Sequence, residues 1–258
     1  MKPNRSGNDL NGKGPGGFLR YGYLLLIILW SLNPIHGEEY HYTVGYMGIP
    51  LTDVKIEVDT TGSLWEGRYN ARIKPLYRRL FKIDNTYIIR AEPDSWKPHS
   101  YRKEINEGDL SRSRVYRYPL KREKIIMPDG EVRSFPGDAH NLFSSLLWLQ
   151  HHHWSANETV SLTVEIDGTF WEATAETEES DEIAFQRRQV DCTVVRVTFH
   201  EQHGRYEPPE STDYLSKYLP AQGRVLRFWI DLSTDTVYRI AVPMGPFSVR
   251  ASLNKIGK

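Results

Sequence analysis

Histidines are the first residues in this sequence to invite a chemical reading. His151, His152 and His153 are consecutive, His140 lies upstream, and His200 and His203 flank Glu201. Imidazoles and carboxylates are the ordinary ligands of zinc. The spacing works against a shared ion. Successive helical residues point about 100° apart, so three in a row cannot meet one metal on a regular helix. His200 and His203 converge only if their loop arranges them, and no established ligand spacing is present. The run reads instead as the polar end of a helix, where cations suit the dipole. Ser144-Ser145 lacks the Gly-x-Ser-x-Gly elbow of a serine hydrolase. Cys192 is the only cysteine, which excludes an intramolecular disulfide and a four-cysteine zinc site. Placed before the apolar stretch Thr193–Phe199, it reads as a small buried residue. Asp and Glu alternate with apolar residues and read as a solvated face. The only Gly-rich stretch, Gly14–Gly17, lies in the basic N-terminal segment. No catalytic residue, metal or cofactor is therefore assigned.

A second set of residues suggests binding. Tyr42, Tyr46, Trp65, Tyr69, Trp148, Phe170, Phe228 and Tyr238 fall on the apolar phases of their segments. Large aromatics dominate ordinary cores. On a curved sheet the same lining can leave a cleft for a lipid or other hydrophobic ligand, and these eight are the cleft candidates.

The elements that must position them are mostly strands. In Arg224–Leu253, Leu226, Phe228, Ile230 and Leu232 share a face. So do Tyr238, Ile240 and Val242, and then Phe247, Val249, Ala251 and Leu253. Such alternation predicts an antiparallel meander. Tyr40–Tyr46, Val54–Val58, Tyr69–Ile73, Phe81–Arg90, Ser100–Asn106, Arg112–Tyr118, Val160–Ile166, Thr169–Thr177 and Val195–Phe199 add further strands. Pro128-Asp129-Gly130 and Asp167-Gly168 are hairpin turns. Pro75–Leu80 reads as a short basic crossing. Asp138–His152 predicts the one long helix, capped by Asp138 or Asn141. His200–Gly223 is a long polar loop. The expected fold is mainly β: one large, strongly curved antiparallel sheet, a half-barrel, with the helix packed on it.

Residues 1–20 are polar and basic, Tyr21–Leu32 is apolar, and Asn33–Gly37 breaks the run. This is the pattern of an export signal, with cleavage expected between Gly37 and Glu38. The alternative is an uncleaved anchor, although the run is shorter than the ~20 residues of a full span. Residues 1–37 are thus read as signal and 38–258 as a single domain. Lys+Arg and Asp+Glu are both 33; removing the four basic residues and one acid of the first 37 leaves 29 against 32, a net charge of −3. That balance excludes nucleic acid as the main partner.

The order of several fragments resembles domain-of-unknown-function family 3108. They are Tyr42–Pro50, Val54–Val58, Phe81-Lys82-Ile83-Asp84, Trp96-Lys97-Pro98, Tyr101-Arg102-Lys103-Glu104, the helix with Asp138, Leu142, Ser145 and Leu146–Leu149, Phe228–Asp231, and Arg239–Gly245. The resemblance spans about residues 40 to 255; the His151–His153 run and the His200–Gly223 loop depart from it. It implies a secreted envelope protein of Gram-negative bacteria, similar in outline to periplasmic lipoprotein carriers, and supplies no functional residues. The expectation is a non-catalytic binder or carrier of a hydrophobic or lipid-like ligand in the periplasm, or anchored in the inner membrane and facing it. Membrane contact is expected only through an uncleaved N-terminal segment. The alternatives are a structural or interaction module with an envelope protein partner, using sheet edges or the Gly204–Gly223 loop, and a hydrolase built on His200, His203 and acids.

Overall fold

Period-two patterning dictates most of the architecture. A computed structural model of the chain describes residues 37–80, 82–119, 123–201, 213, 215–216, 225–244 and 247–257. The expected export signal lies outside these residues. The strands are β1 (Glu38–Tyr46), β2 (Ile49–Asp59), β3 (Trp65–Ile73), β4 (Asp84–Ala91), β5 (Pro98–Glu107), β6 (Leu110–Arg117), β7 (Lys124–Ile126), β8 (Val132–Ser134), β9 (His140–Asn141), β10 (Thr159–Ile166), β11 (Thr169–Thr177), β12 (Asp181–Phe185), β13 (Arg188–Glu201), β14 (Val225–Asp231), β15 (Thr236–Met244) and β16 (Phe247–Gly257). One helix of the described residues, α1 (Leu142–His151), joins β9 to β10, and a 3₁₀ turn occupies Pro75–Tyr77.

All sixteen strands form one sheet in the order β8-β7-β6-β5-β4-β3-β2-β1-β16-β15-β14-β13-β11-β10-β9, with β12 paired to β13 outside this path. Every pairing is antiparallel except β9 with β10. The two ends of the path, β8 and β9, are short and not hydrogen-bonded to each other. Bulges in β1, β4 and β14–β15 add local twist and help the sheet curl. Curling brings β5 and β6 against the β10–β11 hairpin, so side chains join what the backbone ladder leaves open.

Helix α1 fills the concave side. Asn141 caps it: its side chain accepts from the Ser144 amide at 2.7 Å, and Ser144 Oγ accepts the Asn141 amide at 3.0 Å. This reciprocal pair explains why the helix starts at Leu142 and not at Asp138. Leu142, Phe143, Ser144, Ser145, Leu147, Leu149 and Gln150 are all buried, so the helix is enclosed rather than laid on a surface. The Phe143 ring lies 4.7, 4.5 and 5.5 Å from the rings of Tyr69, Tyr87 and Tyr101 on three successive strands.

The helix packs tightly against the sheet at Gly67 of β3. A Cβ there would stand 2.9 Å from Leu147 Cδ1 and 3.0 Å from Ile89 Cγ2, both on buried side chains. Gly67→Ala is therefore expected to destabilise the fold by about 1–3 kcal/mol through overpacking. A denaturant midpoint unchanged from wild type would contradict this close packing.

Three expectations need correction. Leu232 lies in the β14–β15 turn and is exposed, because β14 ends at Asp231. Val237, not Tyr238, faces Ile230: the bulge at Trp229/Ile230 inserts Tyr238 as an extra residue and shifts the phase. β13 runs 14 residues, far beyond Val195–Phe199, since its first part pairs with β12 and its second with β14 and β11.

Candidate functional site

The concave side holds an apolar cleft of about 520 Å³ between α1 and the sheet. Val54, Ile56, Tyr69 and Ala71 contribute from β2 and β3, Phe228 and Ile240 from β14 and β15, and Phe143 and Leu146 from the helix. These rows meet because cross-strand registers align them: Ile56 faces Tyr69, Val54 faces Ala71, and Phe228 faces Ile240. Thr52, Asn85, Glu107 and Gln150 are the polar exceptions. Gln150 is buried, and its side-chain nitrogen has no hydrogen-bond partner among the described residues. An apolar wall with a few polar groups is the ordinary constitution of a small-ligand site.

Of the eight aromatic candidates, Tyr69 and Phe228 line this cleft. Tyr42 and Tyr238 belong to a second buried cluster with Tyr40, Ile183, Cys192 and Leu253, where the Tyr42 hydroxyl donates to the Val237 carbonyl at 2.7 Å. Trp65 packs edge-on against Trp96, with centroids 4.7 Å apart. Trp148 stacks on His152 at 4.3 Å, and Phe170 lies 6.0 Å from Phe135. Tyr46 is half-buried near the end of β1.

The histidines separate. His140 is buried with Nδ1 3.3 Å from the Trp96 carbonyl, and burial pushes its imidazole down to about 4. His151 stacks on Trp96, while His152 meets Glu158 Oε1 at 2.8 Å. His200 is exposed on β13, and His203 lies outside the described residues. Among the described residues no group of three His, Cys, Asp or Glu side chains is placed to hold a metal ion. Burial pushes the Cys192 thiol up to about 12, which leaves it a poor nucleophile.

Beside the cleft stands a cluster of buried charge, an exception to the mainly solvated face expected of the acidic strand residues. Lys103 on β5 is 0% exposed. Its ammonium donates to both oxygens of Asp167 at 2.5 and 2.7 Å and to Asp213 Oδ2 at 3.0 Å. The Tyr116 hydroxyl donates to Asp167 at 2.9 Å, and Tyr87 donates to Asp213 at 3.1 Å. Burial alone would raise the Asp213 carboxyl. Lys103, with the Ser216 amide and hydroxyl, outweighs that and holds it below its ordinary value. Next to this cluster Glu165 accepts from Tyr118 at 2.8 Å and from the Gly168 amide at 2.5 Å. Burial pushes its carboxyl up to about 7 against those bonds. The Asp167-Gly168 turn, with φ of 51° and 88°, aims Asp167 inward. The local signal was the phase of β5: Tyr101, Lys103, Ile105 and Glu107 share the buried face. A lysine and a glutamate on an apolar phase announce buried partners.

These groups lock β5 and β6 to the β10–β11 hairpin. Lys103 is fully paired and enclosed, so the arrangement is suited to holding the curled sheet shut rather than to turning over a substrate.

Comparison with curated proteins gives no significant match. Among solved structures, the chain is similar to a β-barrel-like protein of a domain of unknown function, DUF1849, from Brucella abortus. The TM-score is 0.57 at 9% identity, covering 86% of this chain and 97% of that one, a likeness of fold alone. Residues 41–253 match the model of a family described as protein of unknown function, DUF3108, and the chain belongs to that family.

Proposed function

We propose that this protein is a non-catalytic binder or carrier of a hydrophobic or lipid-like ligand, working in the cell envelope after export to the periplasm. The carrying observation is the apolar cleft of about 520 Å³ between α1 and the sheet, within the size range of small-molecule sites. The N-terminal basic-then-apolar pattern supports the location. The two terminal strands of the path, β8 and β9, are three and two residues long and by themselves offer little template for strand addition.

Native mass spectrometry of protein purified from its own compartment tests the reading, together with titration by a fluorescent fatty acid. The expected result is a co-purifying amphiphile and saturable probe binding. Ala71→Trp, which fills the cleft, should weaken probe binding at least about tenfold, the equivalent of roughly 1.4 kcal/mol. No amphiphile and no saturable binding would overturn the proposal.

A further inference from the structure

The turns of an antiparallel sheet alternate between its two rims. The β1–β2 turn, the β3–β4 crossing and the β5–β6 turn share one rim, and the β2–β3, β4–β5 and β14–β15 connections share the other. The first rim carries a concentration of exposed apolar residues. Met47 and Ile49 stand at the β1–β2 turn; Leu76 and Leu80, on the crossing, are 80% and 74% exposed. Single exposed apolar residues are common on proteins. Here they are interleaved with charge of one sign. From Ile73 to Ile83 the chain reads IKPLYRRLFKI, with four basic residues and no acid. Lys74 pairs with Asp53 at 2.5 Å. Arg78, Arg79 and Lys82 are exposed and have no ion pair among the described residues.

This rim is also where the cleft reaches its end. Val44 and Thr52 flank the β1–β2 turn, Ala71 and Ile83 flank the crossing, and all four line the cleft. A backbone bond from the Ile73 amide to the Ile83 carbonyl, at 3.0 Å, clips the base of the crossing to the cleft wall.

We propose that the Lys74–Lys82 crossing docks this rim onto the surface of a bilayer containing anionic phospholipid. Leu76 and Leu80 enter the headgroup–acyl boundary while Arg78, Arg79 and Lys82 meet lipid phosphates. Apolar side chains bordered by unpaired basic ones are the composition of an interfacial anchor. A lipid surface fits better than a protein partner because the two leucines are 80% and 74% exposed on a short crossing whose charge is of one sign, complementary to lipid phosphate. Among the described residues no helix is long and apolar enough to cross a membrane. The docking stands apart from the cleft. That it sets the cleft mouth against the bilayer for ligand transfer rests on the binding function proposed above.

Full-length protein is sedimented with vesicles of phosphatidylcholine, with and without phosphatidylglycerol. An environment-sensitive fluorophore is attached in turn at Leu80→Cys and, on the opposite rim, at Leu232→Cys. Expected are a blue shift at position 80 on phosphatidylglycerol vesicles only, reversed by salt, and none at position 232. The Leu76→Ser/Leu80→Ser and Arg78→Gln/Arg79→Gln pairs should each lower the phosphatidylglycerol-dependent binding about tenfold or more. Both should retain wild-type affinity for the fluorescent fatty acid, which separates this test from that of the cleft. No shift at position 80, equal shifts at both rims, or vesicle binding indifferent to both pairs would overturn the proposal. So would a shift at position 80 produced only by a protein partner.

Discussion

Lys103→Met should cost the fold about 3–5 kcal/mol at neutral pH, the usual penalty for breaking a buried ion pair by removing one partner. The side chain is 0% exposed and is the shared cation of two buried carboxylates, Asp167 and Asp213. Methionine matches its length and apolar stem, so the loss measures charge rather than a cavity. Without the ammonium, two carboxylates remain in a site that already holds Glu165 and Glu107 close by. Protonation relieves that repulsion. Lys103 is also a cation that holds the Asp213 carboxyl below its ordinary value, so without it that carboxyl protonates more readily and the deficit should shrink as pH falls. Asp167→Asn provides the milder comparison, because Asn tolerates the left-handed conformation of the turn. Combining Lys103→Met with Asp167→Asn and Asp213→Asn should recover a large part of the loss, since it removes the unpaired charges. The measurement is urea unfolding with the slope held unchanged. A single Lys103→Met variant within about 1 kcal/mol of wild type would show that the cluster does not hold the sheet closed.

The sheet could be read from the chain because its information is local. Alternation in β2, β3, β5, β11 and β14, the Asp167-Gly168 turn and the apolar run of α1 each sit within a dozen residues. Phase errors arose where an inserted residue breaks the period, as at Tyr238. The short strand β12 is not legible because it follows Glu178–Ser180 and opens on two acids, Asp181 and Glu182, which leaves only three residues to show alternation. The cleft was legible as composition but not as membership. Eight aromatics share apolar phases, yet which of them border empty space depends on the path of α1 through the interior, and that brings Tyr69 and Phe228 to the cleft. The closing cluster was hidden for a different reason. Lys103 meets Asp167 and Asp213 across 64 and 110 residues of sequence. Only the odd phase of Lys103 and Glu107 on β5 announced that such partners exist.

The pH profile offers the second large effect, through two buried groups that oppose each other. Glu165 titrates at about 7 in the fold against 4.5 unfolded, because burial disfavours its charge. Between those values the folded state holds more protons than the unfolded one, so this group makes stability fall as pH rises. At about 1.4 kcal/mol per pH unit the loss across the window is roughly 3 kcal/mol. His140 acts in the opposite sense. Burial lowers it to about 4 from 6.5, so from 4 to 6.5 only the unfolded chain binds its proton and stability rises with pH. The two slopes nearly cancel between pH 4.5 and 6.5, and wild-type stability should be close to flat there. Asp213, held below its ordinary value, contributes stability that is lost only below that window. Glu165→Gln keeps an acceptor for the Gly168 amide and a polar partner for Tyr118, but does not titrate. Its stability should rise by roughly 3 kcal/mol from pH 4.5 to 6.5, the slope left by His140 alone. It should also exceed wild type above pH 7, where the wild-type carboxylate is charged and buried. Chemical denaturation at a series of pH values reads both curves. Parallel profiles for the two proteins would mean that Glu165 does not titrate abnormally, and that the interior beside Lys103 is wetter than its enclosure indicates.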